Sequence, residues 1–219
     1  MSPLELDALE QRYLAAQLSG RRREALRLLV EEGLNAGASV AQLCHDVIAA
    51  AQAEIGRLWQ QNRISVADEH IATAISQVAL AHLYQHAPSQ KRIGKTVVIA
   101  CVEGELHDFP ARLVADTLDL AGYDVVYLGA SVPTTHLCRL LAERPPDLLA
   151  LSVTMSFNVP SARNAVAAVR ERMPNLKIAV GGGACKFAPG LCSELNADAN
   201  ADDAQQLVLA AHRLLGVEP

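Results

Sequence analysis

The chain has 219 residues, 51% of them hydrophobic and 4% aromatic, so its core is built from Ala, Leu and Val and is large enough for one big domain or two small ones. A net charge of −5 leaves no basic footprint for direct DNA binding, and no apolar run of about 18 residues exists to span a membrane. Met1-Ser2-Pro3-Leu4-Glu5 lacks the basic and apolar regions of a signal peptide, and five scattered cysteines (Cys44, Cys101, Cys138, Cys185, Cys192) form no Cys-x-x-Cys pair, which predicts a reduced, cytoplasmic protein without a zinc or disulfide framework.

Ser2-Pro3-Leu4-Glu5 is a helix start: a cap serine, proline at the first helical position and glutamate three after the cap. Leu4, Leu6, Leu9, Tyr13, Leu14 and Leu18 follow at helical spacing. A second helix is predicted from near Gly20 to Leu34. Its Arg21-Arg22-Arg23 start opposes the helix dipole and reads as a solvated face. Ser39-Val40-Ala41-Gln42 opens a long helix carrying Leu43, Val47, Ile48, Ile55, Leu58 and Trp59. Ser65-Val66-Ala67-Asp68 opens a fourth, with Ile71, Ile75, Val78 and Leu83 on one face. Short links between four helices predict an antiparallel bundle over residues 1–88, closed by the polar linker Pro88-Ser89-Gln90-Lys91-Arg92.

Over residues 94–219 the pattern alternates. Strand-like runs are Thr96–Val102, Asp124–Leu128, Leu148–Val153 and Lys177–Val180, with a weaker fifth at Ala197–Ala201. Helix-like runs are Pro110–Ala121, Thr134–Glu143, Ser161–Met173, a short one near Pro189–Leu195, and Asp202–Leu215. This predicts an α/β, flavodoxin-like (Rossmann-like) domain with a five-stranded parallel sheet in the order 2-1-3-4-5. The ligand crevice of that order lies at the carboxyl ends of strands 1 and 3. Glu103–His107, Ser152-Val153-Thr154 and Gly181-Gly182-Gly183 should therefore line one mouth.

His107 is the mouth's only histidine and is flanked by Glu105 and Asp108; a carboxylate beside a histidine fixes its tautomer and strengthens it as a ligand. The triple glycine allows close backbone approach but is no Gly-x-Gly-x-x-Gly fingerprint, and no phosphate-binding P-loop exists. Ser152 has no nucleophile-elbow setting, and Cys185 reads as a small buried residue. His45, His82, His86, His136 and His212 share no ligand spacing and read as structural or exposed. In the helical half, Trp59 is followed by Glu69 and His70 beside a face of small residues: Ala67, Ala72, Thr73, Ala74, Ser76, Ala79 and Ala81. Such a face leaves room for a broad flat body or for close helix packing. Spacing alone favours Trp59 as core and Glu69-His70 as helix-start residues.

Glu105-Leu106-His107-Asp108-Phe109-Pro110 resembles the Asp/Glu-x-His-x-x-Gly motif of cobalamin-binding domains, with Ser152-Val153-Thr154 and Gly181-Gly182 resembling their Ser-x-Leu/Thr and Gly-Gly elements. Trp59 followed by Glu69-His70 resembles the upper-cap signature of CarH-type cobalamin photoreceptors. By that resemblance His107 is the lower axial ligand to cobalt, Glu105 is its partner, and Asp108 belongs to the same cofactor loop. Ser152, Thr154, Gly181, Gly182 and Gly183 line the pocket for the nucleotide tail, while Trp59, Glu69 and His70 cover the upper face. The resemblance implies a non-enzymatic light-sensing regulator that holds adenosylcobalamin, or another tetrapyrrole, between cap and sheet. It implies a homo-oligomer that signals by a light-driven change to a protein partner such as a transcription regulator. The alternative is a corrinoid methyl carrier of a methyltransferase system; a haem or bilin sensor on the same scaffold is a third reading. Three departures stand out: Pro110 replaces the motif glycine, Gln60 stands where a light-state histidine is expected, and the sequence starts where a helix-turn-helix domain would end, so any transcriptional output is expected to pass through a separate partner unless the sequence is part of a longer protein.

Overall fold

In a computed structural model, residues 1–187 and 194–218 are described. The chain divides into two compact units, Met1–Ser89 and Gln90–Pro219.

The helical unit begins with α1 (Pro3–Leu18), whose Glu5 carboxylate accepts the Ser2 backbone N–H at 2.7 Å. Next comes α2 (Arg22–Arg27), which runs on as a π-helical stretch, Leu28–Gly33. Ser39 starts α3 (Val40–Gln42), accepting the Gln42 N–H at 3.1 Å; the helix continues through a π-helical stretch, Leu43–Ala49, into α4 (Ala50–Gln60). Ser65 accepts the Asp68 N–H at 3.2 Å and starts α5 (Val66–Tyr84). The four predicted helical segments are thus present, and the three cap patterns mark the starts of the first, third and fourth.

The π-helical stretches were not expected. Their buried residues (Leu28, Leu29, Gly33; Leu43, Cys44, Val47, Ile48) keep spacings that an ordinary helix also uses, so the sequence does not mark the wider turn. They also meet: a Cβ on Gly33 would lie 2.8 Å from a Leu43 methyl. The small-residue face of α5 proves to be two faces. Ala72, Ser76 and Ala79 are buried. There Gln17 donates to the Ala72 carbonyl at 3.0 Å and to Ser76 Oγ at 2.7 Å, and the Tyr13 hydroxyl lies 3.1 Å from Ser76 Oγ. Ala67, His70, Ala74 and Ala81 are exposed.

The second unit winds around a parallel sheet in the order β2-β1-β3-β4-β5, as the alternating pattern predicted. Its strands are β1 (Thr96–Cys101), β2 (Asp124–Tyr127), β3 (Leu148–Ser152), β4 (Lys177–Gly181) and β5 (Ala199–Ala201). The connecting helices are α6 (Phe109–Leu120), α7 (Thr134–Glu143), α8 (Val159–Arg172) and α9 (Gly183–Phe187), with α10 (Ala204–Leu215) last. The predicted helix near Pro189–Leu195 falls largely outside the described residues, as does Cys192. β3 is buried along its whole length and β1 along all but its first residue, the mark of central strands covered on both faces. One face packs Val98, Ala100, Leu149, Leu151 and Val180 against α7 and α8; the other packs Val97, Ile99, Leu148 and Ala150 against α6 and α10. Among the described residues no helix is long and apolar enough to cross a membrane.

Candidate functional site

Cys101 pairs with Ser152, and Ser152 with Gly181, so β1, β3 and β4 end side by side and their following loops form one rim. The rim is closed by a buried acid. Glu105 has no exposed surface. Its Oε1 accepts the His107 backbone N–H at 3.0 Å and lies 2.6 Å from His107 Nδ1. Its Oε2 accepts from the backbone N–H of Thr154 and of Met155, each at 2.9 Å, and from Asn158 Nδ2 at 3.0 Å. The carboxylate therefore ties the loop after β1 to the loop after β3.

Burial on its own would raise the pKa of Glu105. The hydrogen bonds from His107, Met155 and Asn158 outweigh burial and hold it down at about 2. At neutral pH the carboxylate is charged and can only accept, so Nδ1 of His107 donates to it, and the neutral form of the ring then has its lone pair on Nε2. The His107 side chain is 39% exposed, while its carboxylate partner is fully covered. Among the described residues no group of three or more His, Cys, Asp or Glu is placed to hold a bare metal ion. One secured imidazole suits a metal whose other ligands arrive with a cofactor.

The remaining predicted residues fall into distinct places. Asp108 ends the loop, and the Tyr127 hydroxyl donates to its carbonyl at 3.0 Å and its carboxylate at 3.2 Å; Asp108 thus anchors the loop to β2. Ser152 is buried at the end of β3 and hydrogen-bonds Cys101, whose thiol is pushed up to about 12, chiefly by burial. Thr154 gives its backbone N–H to Glu105, and its Oγ1 is buried without a hydrogen-bond partner among the described residues. Gly182 has φ +103, and a Cβ there would lie 2.5 Å from the Val153 carbonyl oxygen. Gly181 and Gly183 are likewise close to backbone, at Ala201 and Thr154. The triple glycine is thus needed for loop packing within the protein itself.

Pro110 occupies the first turn of α6, where a missing N–H leaves no helical hydrogen bond unmade. That explains a departure that the motif pattern left open.

In the helical unit Trp59 is half-buried near the end of α4, followed by exposed Gln60. Gln52 donates to Thr73 Oγ1 at 3.0 Å, Thr73 donates to Glu69 Oε1 at 2.7 Å, and Glu69 Oε2 lies 2.6 Å from His70 Nδ1. Glu69 and His70 thus belong to a polar chain linking α4 and α5. His70 is exposed.

Sequence reasoning missed Asn158, Ser131 and Tyr127. Asn158 precedes Val159-Pro160 and reads as an ordinary helix cap, yet its side chain makes no cap hydrogen bond and reaches Glu105 instead. Ser131, at φ +48, accepts the Gly104 N–H at 3.0 Å and donates its own N–H to the Glu105 carbonyl at 2.9 Å.

A family model described as a B12 binding domain matches residues 95–208, and a second model of the same description matches residues 9–84. The dimethylamine corrinoid protein 1 of Methanosarcina acetivorans is 26% identical over 175 residues, which cover 77% of this chain and 80% of that protein. The HTH-type transcriptional repressor CarH of Myxococcus xanthus is 28% identical over 152 residues, 68% of this chain but only 50% of the repressor. The solved structure of the Methanosarcina barkeri monomethylamine corrinoid protein matches with a TM-score of 0.83 at 18% identity, covering 94% of this chain and 98% of that one, a likeness of fold.

Proposed function

Because this chain belongs to the B12-binding domain family, we propose that it is a corrinoid-carrying protein of a methyltransferase system, with His107 as the lower axial ligand to cobalt. The observation that carries the reading is the fully buried Glu105 carboxylate 2.6 Å from His107 Nδ1.

The residues present fit a corrinoid. The imidazole has one nitrogen secured by a charged carboxylate, and the buried Thr154 Oγ1 is a polar atom without a partner among the described residues at the same rim. When bound, a corrinoid supplies a cobalt centre that takes up and gives away a methyl group. Glu105 holds the proton on Nδ1 and so offers Nε2 as the ligating atom. Ser152, Thr154 and Gly181–Gly183 are assigned to the nucleotide tail, and Asp108 keeps the loop on β2. Trp59, Glu69 and His70 of the helical unit are proposed as further cofactor-binding residues. In this role the protein is a carrier, not a catalyst.

Relatives favour the carrier over the light sensor. The corrinoid protein of M. acetivorans aligns over most of both chains, whereas light sensing rests on a repressor of which the chain spans half. The test is a comparison of methylcobalamin and adenosylcobalamin, bound in the dark and then illuminated with green light. A carrier binds methylcobalamin at least as tightly, and its molecular mass in solution is the same before and after illumination. Strict preference for adenosylcobalamin, with a light-driven change of mass, would establish the sensor instead.

A further inference from the structure

Glu105 sets the rotation of the His107 ring, but the place from which the ring extends is set by the backbone. The Asp108 N–H donates to the Leu106 carbonyl at 2.9 Å, so residues 106–108 form a three-residue turn with His107 at its centre. His107 does not have a positive φ, which makes this the inverse γ-turn, the unstrained kind. The turn projects from the rim, since Leu106 is 73% exposed. One hydrogen bond closes it, and the residue that supplies that bond, Asp108, needs an anchor of its own. The Cys101 thiol, 3.9 Å from the His107 carbonyl, is a weak donor.

Tyr127 provides the anchor. It is the last residue of β2 and pairs with Ile99 of β1. Its ring packs against the core beneath α6, and the Arg112 guanidinium lies 5.9 Å from the ring centroid. Arg112 is held in turn by Asp116, whose carboxylate accepts from Nε at 3.2 Å. With the ring fixed by packing, the hydroxyl is aimed: it donates to the Asp108 carbonyl at 3.0 Å and lies 3.2 Å from Asp108 Oδ2. The same carbonyl accepts the Arg112 N–H at 2.9 Å and so starts α6. Among the described contacts, Tyr127 is the only side chain hydrogen-bonded to Asp108. Ser131, in the loop after β2, holds the other end of the segment through Gly104 and Glu105. The edge strand and its loop thus brace the histidine loop at both ends.

We infer that Tyr127 is a positioning residue for axial ligation: by tying Asp108 to β2 it holds the turn centred on His107 in place, so that Nε2 extends to one fixed point where cobalt is taken. This rests on His107 being the axial ligand. Glu105 and Tyr127 divide the work, one acting on the ring and the other on the backbone that carries it. Without the hydroxyl, the Asp108 carbonyl keeps the Arg112 N–H and α6 keeps its start, but the turn is left on its own closing bond. The ring then samples a wider range of positions and competes less well with the cofactor's own base.

The test uses the full chain grown on nitrogen-15 and loaded with unlabelled cob(II)alamin. A protein nitrogen on cobalt splits each cobalt line of the electron paramagnetic resonance spectrum into a doublet, while the cofactor's own benzimidazole nitrogen gives a triplet. The wild type reports whether His107 ligates at all. Given a doublet there, Tyr127→Phe, which keeps the ring under Arg112 and removes one hydroxyl, should lower the doublet fraction and weaken cob(II)alamin binding by about fivefold, the worth of one hydrogen bond. In a His107→Ala background the same substitution should leave binding unchanged, because its effect passes through the ring. Thermal melting without cobalamin checks that each variant is folded. A wild-type doublet fraction and wild-type affinity in folded Tyr127→Phe would overturn the inference while leaving the function of His107 intact. An equal loss of affinity in both backgrounds would also overturn it, by showing a structural role alone; if His107→Ala binds too weakly to measure, the doublet fraction decides. Absence of the doublet in the wild type would overturn the ligand assignment and this inference with it.

Discussion

One oxygen of Glu105 holds His107 twice, accepting the backbone N–H at 3.0 Å and lying 2.6 Å from Nδ1 of the ring. The contact fixes both the loop conformation and the tautomer. Its strength has a pH signature. The Glu105 pKa falls from an ordinary 4.5 to about 2 in the folded protein. A depressed carboxylate stabilises the fold above its unfolded pKa, and that contribution is lost as pH falls through the folded value. The contribution is roughly 3 kcal/mol at neutral pH. Urea unfolding of the cobalamin-free protein should therefore show wild type losing stability between about pH 4.5 and 2, and Glu105→Gln losing less over the same interval. Parallel curves for the two proteins would contradict the account of a buried carboxylate held charged by its hydrogen bonds.

Gly182 makes a second prediction. Its φ of +103 and the 2.5 Å approach to the Val153 carbonyl oxygen leave no place for a side chain. Gly182→Ala should destabilise the second unit by about 2–4 kcal/mol, through strain and a backbone clash that no rotamer relieves. Chemical denaturation of the cobalamin-free protein measures this directly. A loss below about 1 kcal/mol would mean that the loops after β3 and β4 yield easily.

A third concerns the helical unit alone. Ser76 receives the Gln17 amide at 2.7 Å and lies 3.1 Å from the Tyr13 hydroxyl, all three residues being buried. Ser76→Ala should cost roughly 1–3 kcal/mol by leaving polar groups of α1 short of a partner. Hydrogen exchange should quicken in α1 and α5 and stay unchanged in the sheet of the second unit. Unaltered exchange in α1 would show that the pair is not held by this network.

The sheet order was legible because strand-like and helix-like runs alternate cleanly from Thr96 onward, and the strand order then names the rim. Glu105 and His107 were legible as an acid and a histidine two residues apart at a strand end. Asn158 was not, since Asn158-Val159-Pro160 has the composition of any helix start and only the folded chain shows its amide turned toward Glu105. The π-helical turns were hidden for another reason: a window tuned to a period of 3.6 reads Leu28–Gly33 and Leu43–Ala49 as ordinary helix. Pro110, a mismatch to the motif glycine, lies in the first turn of α6, where its ring is compatible with the helix. The small residues of α5 mixed two roles, because Ala72, Ser76 and Ala79 pack inside the bundle while Ala67, Ala74 and Ala81 are exposed.

The central claim is that a nitrogen of this protein, that of His107, ligates cobalt. Protein labelled with nitrogen-15 and mixed with unlabelled cob(II)alamin gives the most direct answer by electron paramagnetic resonance. The account predicts doublet splitting in the wild type and its loss in His107→Ala. Triplet splitting in the wild type, showing that the cofactor's own base stays on cobalt, would contradict it.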